Sequence, residues 1–172
     1  MNWTIDSAHS SASFKVRHMG ISNVRGDFSD LRGAITLDEA GNLQSVRVSI
    51  PVDTVNTGNA GRDEHLKKAD FFDAEQFPSI EFVSTDVTRS GEGYRVSGNL
   101  TMHGVTHAIS FKAEVSQPIT DPMSGKRKIG GEAALELSRK DYGLTWNAAI
   151  ETGGVMVSDK VSINLEVQAV EE

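Results

Sequence analysis

The sequence contains no cysteine among its 172 residues, and this absence excludes several kinds of chemistry at once. Disulfide bonds, thiol nucleophiles, redox-active cysteine pairs, iron–sulfur clusters and thiolate zinc sites all require that residue. Proline is scarce, with four residues, whereas the 16 glycines are dispersed along the chain. Dispersed glycines indicate many turns rather than one long linker. We therefore predict a single domain, residues 1–172, of a size that can bury a substantial core.

The sequence has few basic residues, since its 17 lysines and arginines are outnumbered by 24 acidic residues, which gives a net charge of −7. Proteins that bind nucleic acids usually have the opposite sign, so we expect no nucleic-acid partner. The hydrophobic fraction of 38% and the charged fraction of 24% are typical neither of a disordered chain nor of a membrane span. The first ten residues lack the basic and apolar regions of a secretory signal, which predicts a cytoplasmic location.

The dominant pattern is the alternation of apolar and polar residues with a period of two. It is clear over residues 109–115, 133–137 and 161–167, and it recurs in about eight segments separated by turn sequences. Such alternation is typical of antiparallel strands with one buried and one solvated face. One amphipathic helix is predicted near residues 60–69, where Arg62 and His65 share a face.

One short helix cannot cover a sheet of eight strands. Closure into a barrel buries one face of the sheet and removes its edges. We therefore predict an all-β fold, an antiparallel barrel of about eight strands with one short helix. A sandwich of two sheets is the alternative. An eight-stranded barrel can be filled by its own side chains or can hold one small ligand.

Several basic residues interrupt the apolar phase that faces the interior. His18 continues the phase of the second strand, Arg139 and Asp141 continue that of a later strand, and Arg62 and His65 lie on one side of the helix. Burying an unpaired cation is costly, so each of these residues needs a partner. Several cations against one carboxylate indicate spare positive charge, which an anionic ligand head group would balance. The arginine fork suits phosphate or carboxylate.

Each of these residues also has an internal explanation when it is taken alone. Arg139 could pair with Asp141, or the strand could end there and leave both in water. Arg62 and His65 could reach solvent from the end of the helix. His18 could be a core histidine that bonds to a backbone carbonyl. The residues by themselves leave these alternatives open.

A metal site is not predicted, and neither is a cofactor. His103 and His107 are four residues apart, but a turn predicted at Gly104 separates them and no helix holds them. The strand phase directs His103 outward and His107 inward, so we expect the two side chains to diverge. The sequence also has no G-x-S-x-G elbow, no Walker lysine loop and no G-x-G-x-x-G string. An enzyme is therefore not the expected class.

Seven short strings occur in a fixed order along the chain. They are W-T-I-D-x-x-H-S (Trp3 to Ser10), F-K-V-R-H-M (Phe14 to Met19), V-R-G-D-F (Val24 to Phe28), T-G-x-x-x-R-D-x-H-L (Thr57 to Leu66), D-F-F-D-A-x-x-F-P-x-I-x-F (Asp70 to Phe82), G-N-L-T-M-H-G-V-T (Gly98 to Thr106) and R-K-D-Y-G-L (Arg139 to Leu144). Any one string is weak, but the ordered set resembles the YceI-like family, the polyisoprenoid-binding, lipocalin-like proteins of bacteria.

The resemblance implies an extended eight-stranded barrel, often a homodimer, that holds a long apolar ligand such as a polyisoprenoid or an isoprenoid quinone. It also implies candidate ligand contacts, which are Arg62 and His65 of the R-D-x-H-L string and Arg139 and Asp141 of the R-x-D-Y-G string. Many family members are periplasmic and begin with a signal peptide, which this sequence does not show.

The leading hypothesis is a non-enzymatic protein that binds a lipid in the barrel, with possible transient contact with a membrane. The cavity wall is predicted to include Phe14, Val16, Phe28, Phe82, Leu100, Met102, Phe111, Leu135 and Trp146. The polar end is predicted to include His18, Arg62, His65 and Arg139. One alternative is an enzyme that acts on a lipid or small amphiphile, with His18 or His65 as general base. Another is a filled barrel whose surface binds a protein.

Overall fold

The computed structural model describes residues 1–147 and 156–172, and most of them form β-strands. The strands are β1 (Asn2–Ile5), β2 (Ser11–His18), β3 (Ser22–Phe28), β4 (Arg32–Leu37), β5 (Leu43–Pro51), β6 (Ser79–Ser90), β7 (Gly93–Met102), β8 (Val105–Val115), β9 (Ile119–Thr120), β10 (Arg127–Ser138) and β11 (Val157–Glu171). Within these ranges the one α-helix is α1 (Ala60–Leu66), and short 3-10 helices span Ser7–His9, Val52–Thr54 and Arg139–Tyr142.

Eight strands close a ring in which every pairing is antiparallel. The order is β1–β4–β5–β6–β7–β8–β10–β11, and β11 pairs again with β1. β2 pairs with the first part of β11, and β3 pairs with β2, so this hairpin lengthens the barrel on one side. The predicted eight-stranded barrel with one short helix is confirmed, and the sandwich is excluded.

The described residues contain eleven strands, three more than the eight of the ring, for a simple reason. The 3-10 helix Ser7–His9 separates β1 from β2, and residues 29–31 separate β3 from β4, so two barrel strands are each recorded in two pieces. The third addition is β9, a two-residue strand that pairs with the start of β10. It lies in the polar region 116–127, which forms a hairpin arm outside the ring.

The interior is solid at one end of the barrel and hollow at the other. Fully buried side chains, among them Trp3, Leu37 and Ile129, fill the end where β1 and β10 begin. Toward the other end, inward residues such as Ile109 and Leu137 are only partly buried. A strand with the same alternation therefore contributes to a packed core along one half and to a cavity wall along the other.

Residues 52–78 leave the sheet between β5 and β6 and cross the hollow end. Helix α1 begins where the side chain of Asn59 caps its first turn. It ends at Leu66, earlier than the predicted 60–69, because the chain then folds into consecutive turns, in which Phe72 N donates to Leu66 O (2.9 Å). Among the described residues, no helix is both long and apolar enough to cross a membrane.

We expect Gly33→Ala to lower the free energy of unfolding by about 3 kcal/mol. Gly33 has a φ of +147°, and an added Cβ would lie 1.9 Å from the carbonyl oxygen of Arg47 on β5, so a clash adds to a backbone strain of about 1–3 kcal/mol. The control is Gly125→Ala, where φ is +71° but no atom lies within 4 Å of the added Cβ, and we expect a loss of about 1 kcal/mol. Urea unfolding measures both values. Equal losses would contradict the close approach of β4 to β5.

Candidate functional site

The hollow half of the barrel contains a cavity of about 350 Å³. Small-molecule sites occupy about 300–1,000 Å³, so the cavity has the size of a ligand site. Residues of β2 to β8, β10 and β11 line it, and its surface is almost entirely apolar. The alternation of these strands explains this composition, because one face of each strand points inward.

The structure places all nine predicted wall residues on this cavity. They are Phe14, Val16, Phe28, Phe82, Leu100, Met102, Phe111, Leu135 and Trp146. Four of the aromatic members pack in pairs. The ring centroids of Phe14 and Phe28 are 5.6 Å apart, and those of Phe82 and Phe111 are 5.3 Å apart. Their contact with a ligand stays a prediction.

Several lining residues were not predicted from the sequence. Leu66, Phe71 and Phe72 come from the covering segment 52–78, and Phe72 packs edge-on against Phe28 with centroids 5.7 Å apart. This segment has no strand periodicity, so its pattern does not show which side chains turn inward. The adjacent phenylalanines in an otherwise polar stretch were the available signal.

Three rings form a cluster at the mouth of the cavity. His65 contacts Phe71 (centroids 5.1 Å) and Trp146 (5.4 Å), and the latter two rings are 5.2 Å apart. The Nε2 atom of His65 lies 3.1 Å from Asp70 Oδ2. The predicted position of His65 at the rim therefore agrees with the structure, but a carboxylate already accompanies its imidazole.

Arg62 is held at the same mouth by Thr57. Its Nε donates to Thr57 Oγ1 (2.8 Å) and its Nη2 donates to Thr57 O (2.9 Å). Thr57 is fixed in turn by Asp63, whose Oδ1 accepts from Thr57 N (2.9 Å), and the Thr57 hydroxyl keeps the pKa of this carboxyl below its usual value. Among the described residues no group bonds to Nη1 of Arg62, so the guanidinium retains donors for a ligand.

His18 lies on the cavity at the end of β2 and is partly buried. No hydrogen bond or ion pair to its ring occurs among the described residues, so the carbonyl-bonded alternative finds no support there. His18 and Arg62 therefore have hydrogen-bonding groups at the mouth that no described residue uses.

Arg139 also lines the cavity, but its guanidinium serves the fold. The side chain is 5% exposed and donates to three backbone carbonyls: Ser158 O (2.9 Å), Leu144 O (2.7 Å) and Val157 O (3.2 Å). Burial lowers its pKa, and the nearby carboxylate of Asp159 opposes this shift. The predicted spare charge at Arg139 is thus largely used to join the end of β10 to the start of β11.

The prediction that Asp141 points inward is wrong. The strand ends at Ser138, and the following 3-10 helix turns Asp141 into solvent, away from the cavity and from Arg139. The alternation thus held for Arg139, the first residue after the strand, and failed at Asp141, two residues further into the 3-10 helix.

The prediction that His103 and His107 diverge is also wrong. His103 Nδ1 lies 3.0 Å from Tyr142 O, and His107 Nε2 lies 2.7 Å from Asp141 O, so both rings hold the same 3-10 helix. β8 pairs with β10 only over residues 113–115, and the 3-10 helix occupies the gap beyond this pairing. Among the described residues, no group of three or more potential ligands could hold a metal ion.

We expect Arg139→Lys to lower the free energy of unfolding by about 3 kcal/mol. A lysine ammonium cannot reach three carbonyls in this fork geometry, and each buried carbonyl left without a donor costs about 1–3 kcal/mol. Val157 O keeps its bond from Asn147 Nδ2, so the loss falls on Leu144 O and Ser158 O. The control is Arg62→Lys, at an exposed position, where we expect a change within about 0.5 kcal/mol. Urea unfolding of both variants makes the comparison. Wild-type stability of the Arg139 variant would show that these bonds do not hold the two strands together.

Comparisons with known proteins agree with this architecture. The YceI-like domain matches residues 3–169. UPF0312 protein SAS2572 of Staphylococcus aureus is 34% identical over 169 residues, which cover 97% of this chain and 96% of that protein. The Campylobacter jejuni YceI protein superimposes with a TM-score of 0.77 at 33% identity, covering 91% of this chain and 90% of that one.

Two more distant structures share the fold. BcnA of Burkholderia cenocepacia has a TM-score of 0.81 at 22% identity, covering 95% of this chain and 98% of that one. A polyisoprenoid binding domain from Saccharophagus degradans has a TM-score of 0.73 at 20% identity, covering 99% and 98%. The family match over nearly the whole chain and the relatives above 30% identity show that this chain belongs to the YceI-like family.

Proposed function

We propose that this protein binds a long apolar amphiphile, of the polyisoprenoid or isoprenoid quinone class, inside the barrel for storage, transport or sequestration. The tail lies in the cavity and the polar head lies at the mouth. The observation that carries the proposal is the hollow, apolar half of the barrel, whose mouth is bordered by Arg62, His18 and His65. The polyisoprenoid binding domain of the same fold supports the choice of ligand class.

The energetics assign different roles to the tail and the head. Burying a methylene is worth about 0.8 kcal/mol against water. For a tail of tens of carbons the sum would exceed the practical limit of about 20 kcal/mol for non-covalent affinity. The competing location of such a lipid is a membrane, which is equally apolar, so transfer of the tail is nearly neutral. Shape and contacts at the mouth therefore decide which amphiphile is taken.

The mouth suits an anionic or strongly polar head group. Arg62 presents unused guanidinium donors, His18 lies close to the cavity without a partner among the described residues, and the ring cluster of His65, Phe71 and Trp146 provides flat apolar faces. A phosphate would be held by charge-assisted hydrogen bonds, and a quinone ring would pack against the aromatic side chains.

Catalysis by His18 or His65 stays a prediction, and the geometry favours binding over it. His65 pairs with Asp70, yet the side chains of both are more than 40% exposed. No hydroxyl group hydrogen-bonds to either histidine ring among the described residues. The homodimer and the cytoplasmic location also stay predictions.

The proposal is tested by extraction of the purified protein under denaturing conditions, followed by mass spectrometry, and by titration of the delipidated protein with polyprenyl phosphate and with a quinone. We expect Leu135→Trp to lower the affinity for both by at least about tenfold, because the larger ring occupies the cavity. Ala134→Trp is the matched control, since the neighbouring side chain points outward into solvent. Failure of the wild-type protein to retain or bind either ligand would refute the proposal.

We expect Arg62→Gln to weaken binding of polyprenyl phosphate by about tenfold while binding of an uncharged quinone changes little. Hydrogen bonds to charged groups contribute about 1.5–3 kcal/mol, and only the phosphate makes one with this guanidinium. Arg95→Gln, on the exposed outer face of β7, removes the same charge far from the mouth and serves as the control. Isothermal titration of both variants measures the affinities. An equal loss for both ligands would place Arg62 in the support of the mouth rather than in recognition.

A further inference from the structure

The tip of the β2–β3 hairpin carries apolar side chains into solvent beside the cavity mouth. Met19 is 39% exposed and Ile21 is 78% exposed, whereas the next residue back along β2, His18, lines the cavity. The hairpin is anchored to the barrel by β2 pairing with β11 and by a hydrogen bond from Met19 N to Met156 O (2.7 Å). The two side chains are thus held at a defined place on the rim.

Met19 occupies a position that a methionine does not favour. Its φ is +54°, that of Gly20 is +69°, and Ile21 N donates to His18 O (3.2 Å), which together describe a type I′ turn. The first central position of this turn favours asparagine, aspartate or glycine, because other side chains are strained at positive φ. An apolar side chain that costs stability where it stands indicates a role outside folding.

The hairpin carries net positive charge on an acidic protein. Residues 11–28 contain three lysines and arginines and one acidic residue, Asp27, against a net charge of −7 for the chain. Lys15 and Arg25 stand directly opposite each other on β2 and β3, and neither has a salt bridge among the described residues. Like charges in this position repel each other unless an anion lies between or beside them.

We infer that this hairpin docks the protein on an anionic phospholipid bilayer. Met19 and Ile21 enter the boundary of the acyl chains, and Lys15, Arg17 and Arg25 meet the lipid phosphates behind them. At about 3.3 Å per residue, Lys15 stands about 13 Å behind Met19, a distance its long side chain shortens toward the head-group layer. The acidic remainder of the molecule is repelled from the same surface, so charge also sets the orientation.

The inference rests on the proposed function, because docking at this hairpin turns the cavity mouth toward the bilayer. A lipid could then pass between membrane and barrel without exposing its tail to water. The nearby carboxylates of Glu64 and Asp70 are each accompanied by a basic group, Lys67 and His65 respectively. Asp27 lies on β3 itself, two residues from Arg25, and offsets one of the three positive charges of the hairpin.

The test is sedimentation with vesicles made of equal parts phosphatidylglycerol and phosphatidylcholine, at low and at high salt. We expect wild-type protein to bind these vesicles, to bind pure phosphatidylcholine at least about tenfold more weakly, and to dissociate as salt screens the charges. Lys15→Gln with Arg25→Gln should weaken binding about fivefold for each cation removed. Equal binding to both kinds of vesicle, or none to either, would overturn the inference.

The substitution Met19→Asn separates docking from folding. We expect it to raise the thermal stability, because asparagine suits the turn, and to lower vesicle binding at least about threefold, because the apolar side chain is lost. Met123→Asn is the control, since Met123 is 95% exposed on the hairpin arm at the opposite end of the barrel and should leave binding unchanged. Unchanged vesicle binding by the Met19 variant, or a comparable loss by the Met123 variant, would overturn the inference.

The two proposals fail in different ways. If the delipidated protein takes up polyprenyl phosphate from detergent solution but binds no anionic vesicles, docking is refuted and the binding function stands. If it binds anionic vesicles through the hairpin but takes up no lipid from detergent, the docking surface is supported and the binding function is refuted. If Met19→Asn abolishes self-association of the chain while vesicle binding is absent, the exposed tip serves a protein contact and docking is refuted.

Discussion

The structure depends on the pairing of β11 with three other strands. This strand of 15 residues pairs with β10 along most of its length, with β2 over its first part and with β1 at its end. These pairings close the ring, and without them β10 and β1 would be open edges. The same strand supplies Val161, Ile163 and Leu165 to the cavity wall. The pairings of β11 therefore both close the barrel and enclose the cavity.

The buried Arg139 is a consequence of that closure. Where β10 ends and β11 begins, its guanidinium donates to the backbone carbonyls of Leu144, Val157 and Ser158. Val157 O also accepts from Asn147 Nδ2 (2.7 Å), so the guanidinium is the side-chain donor for the other two. A cation is therefore tolerated next to an apolar cavity because it completes backbone hydrogen bonding. Its presence there does not by itself require an anionic ligand.

The limits of sequence interpretation follow from the same geometry. Alternation located the strands and eight of the nine wall residues, because a strand with one buried face fixes the direction of every second side chain. The ninth, Trp146, lies outside the strands. Alternation could not separate a packed interior from a hollow one, since Ile129 in the filled half and Ile163 in the hollow half obey the same rule. It failed at Asp141 because the strand had already ended, and it could not show that His103 and His107 both bond to the 3-10 helix that follows β10.

The residues that we assign to head-group recognition lie mainly in the covering segment 52–78, whereas the strand pairings stabilise the barrel. The barrel strands supply apolar surface, which distinguishes one long lipid tail from another only weakly, because a bilayer offers the same environment. Arg62, His65 and Phe71 come from the covering segment. There the Arg62 side chain donates to Thr57, which Asp63 fixes in turn, so the strand ladder does not position it. A change in this segment can therefore alter head-group preference while the pairings that stabilise the barrel stay intact. Selectivity and stability reside in different parts of the chain, and the only strand-borne polar group at the mouth that we assign to recognition is His18.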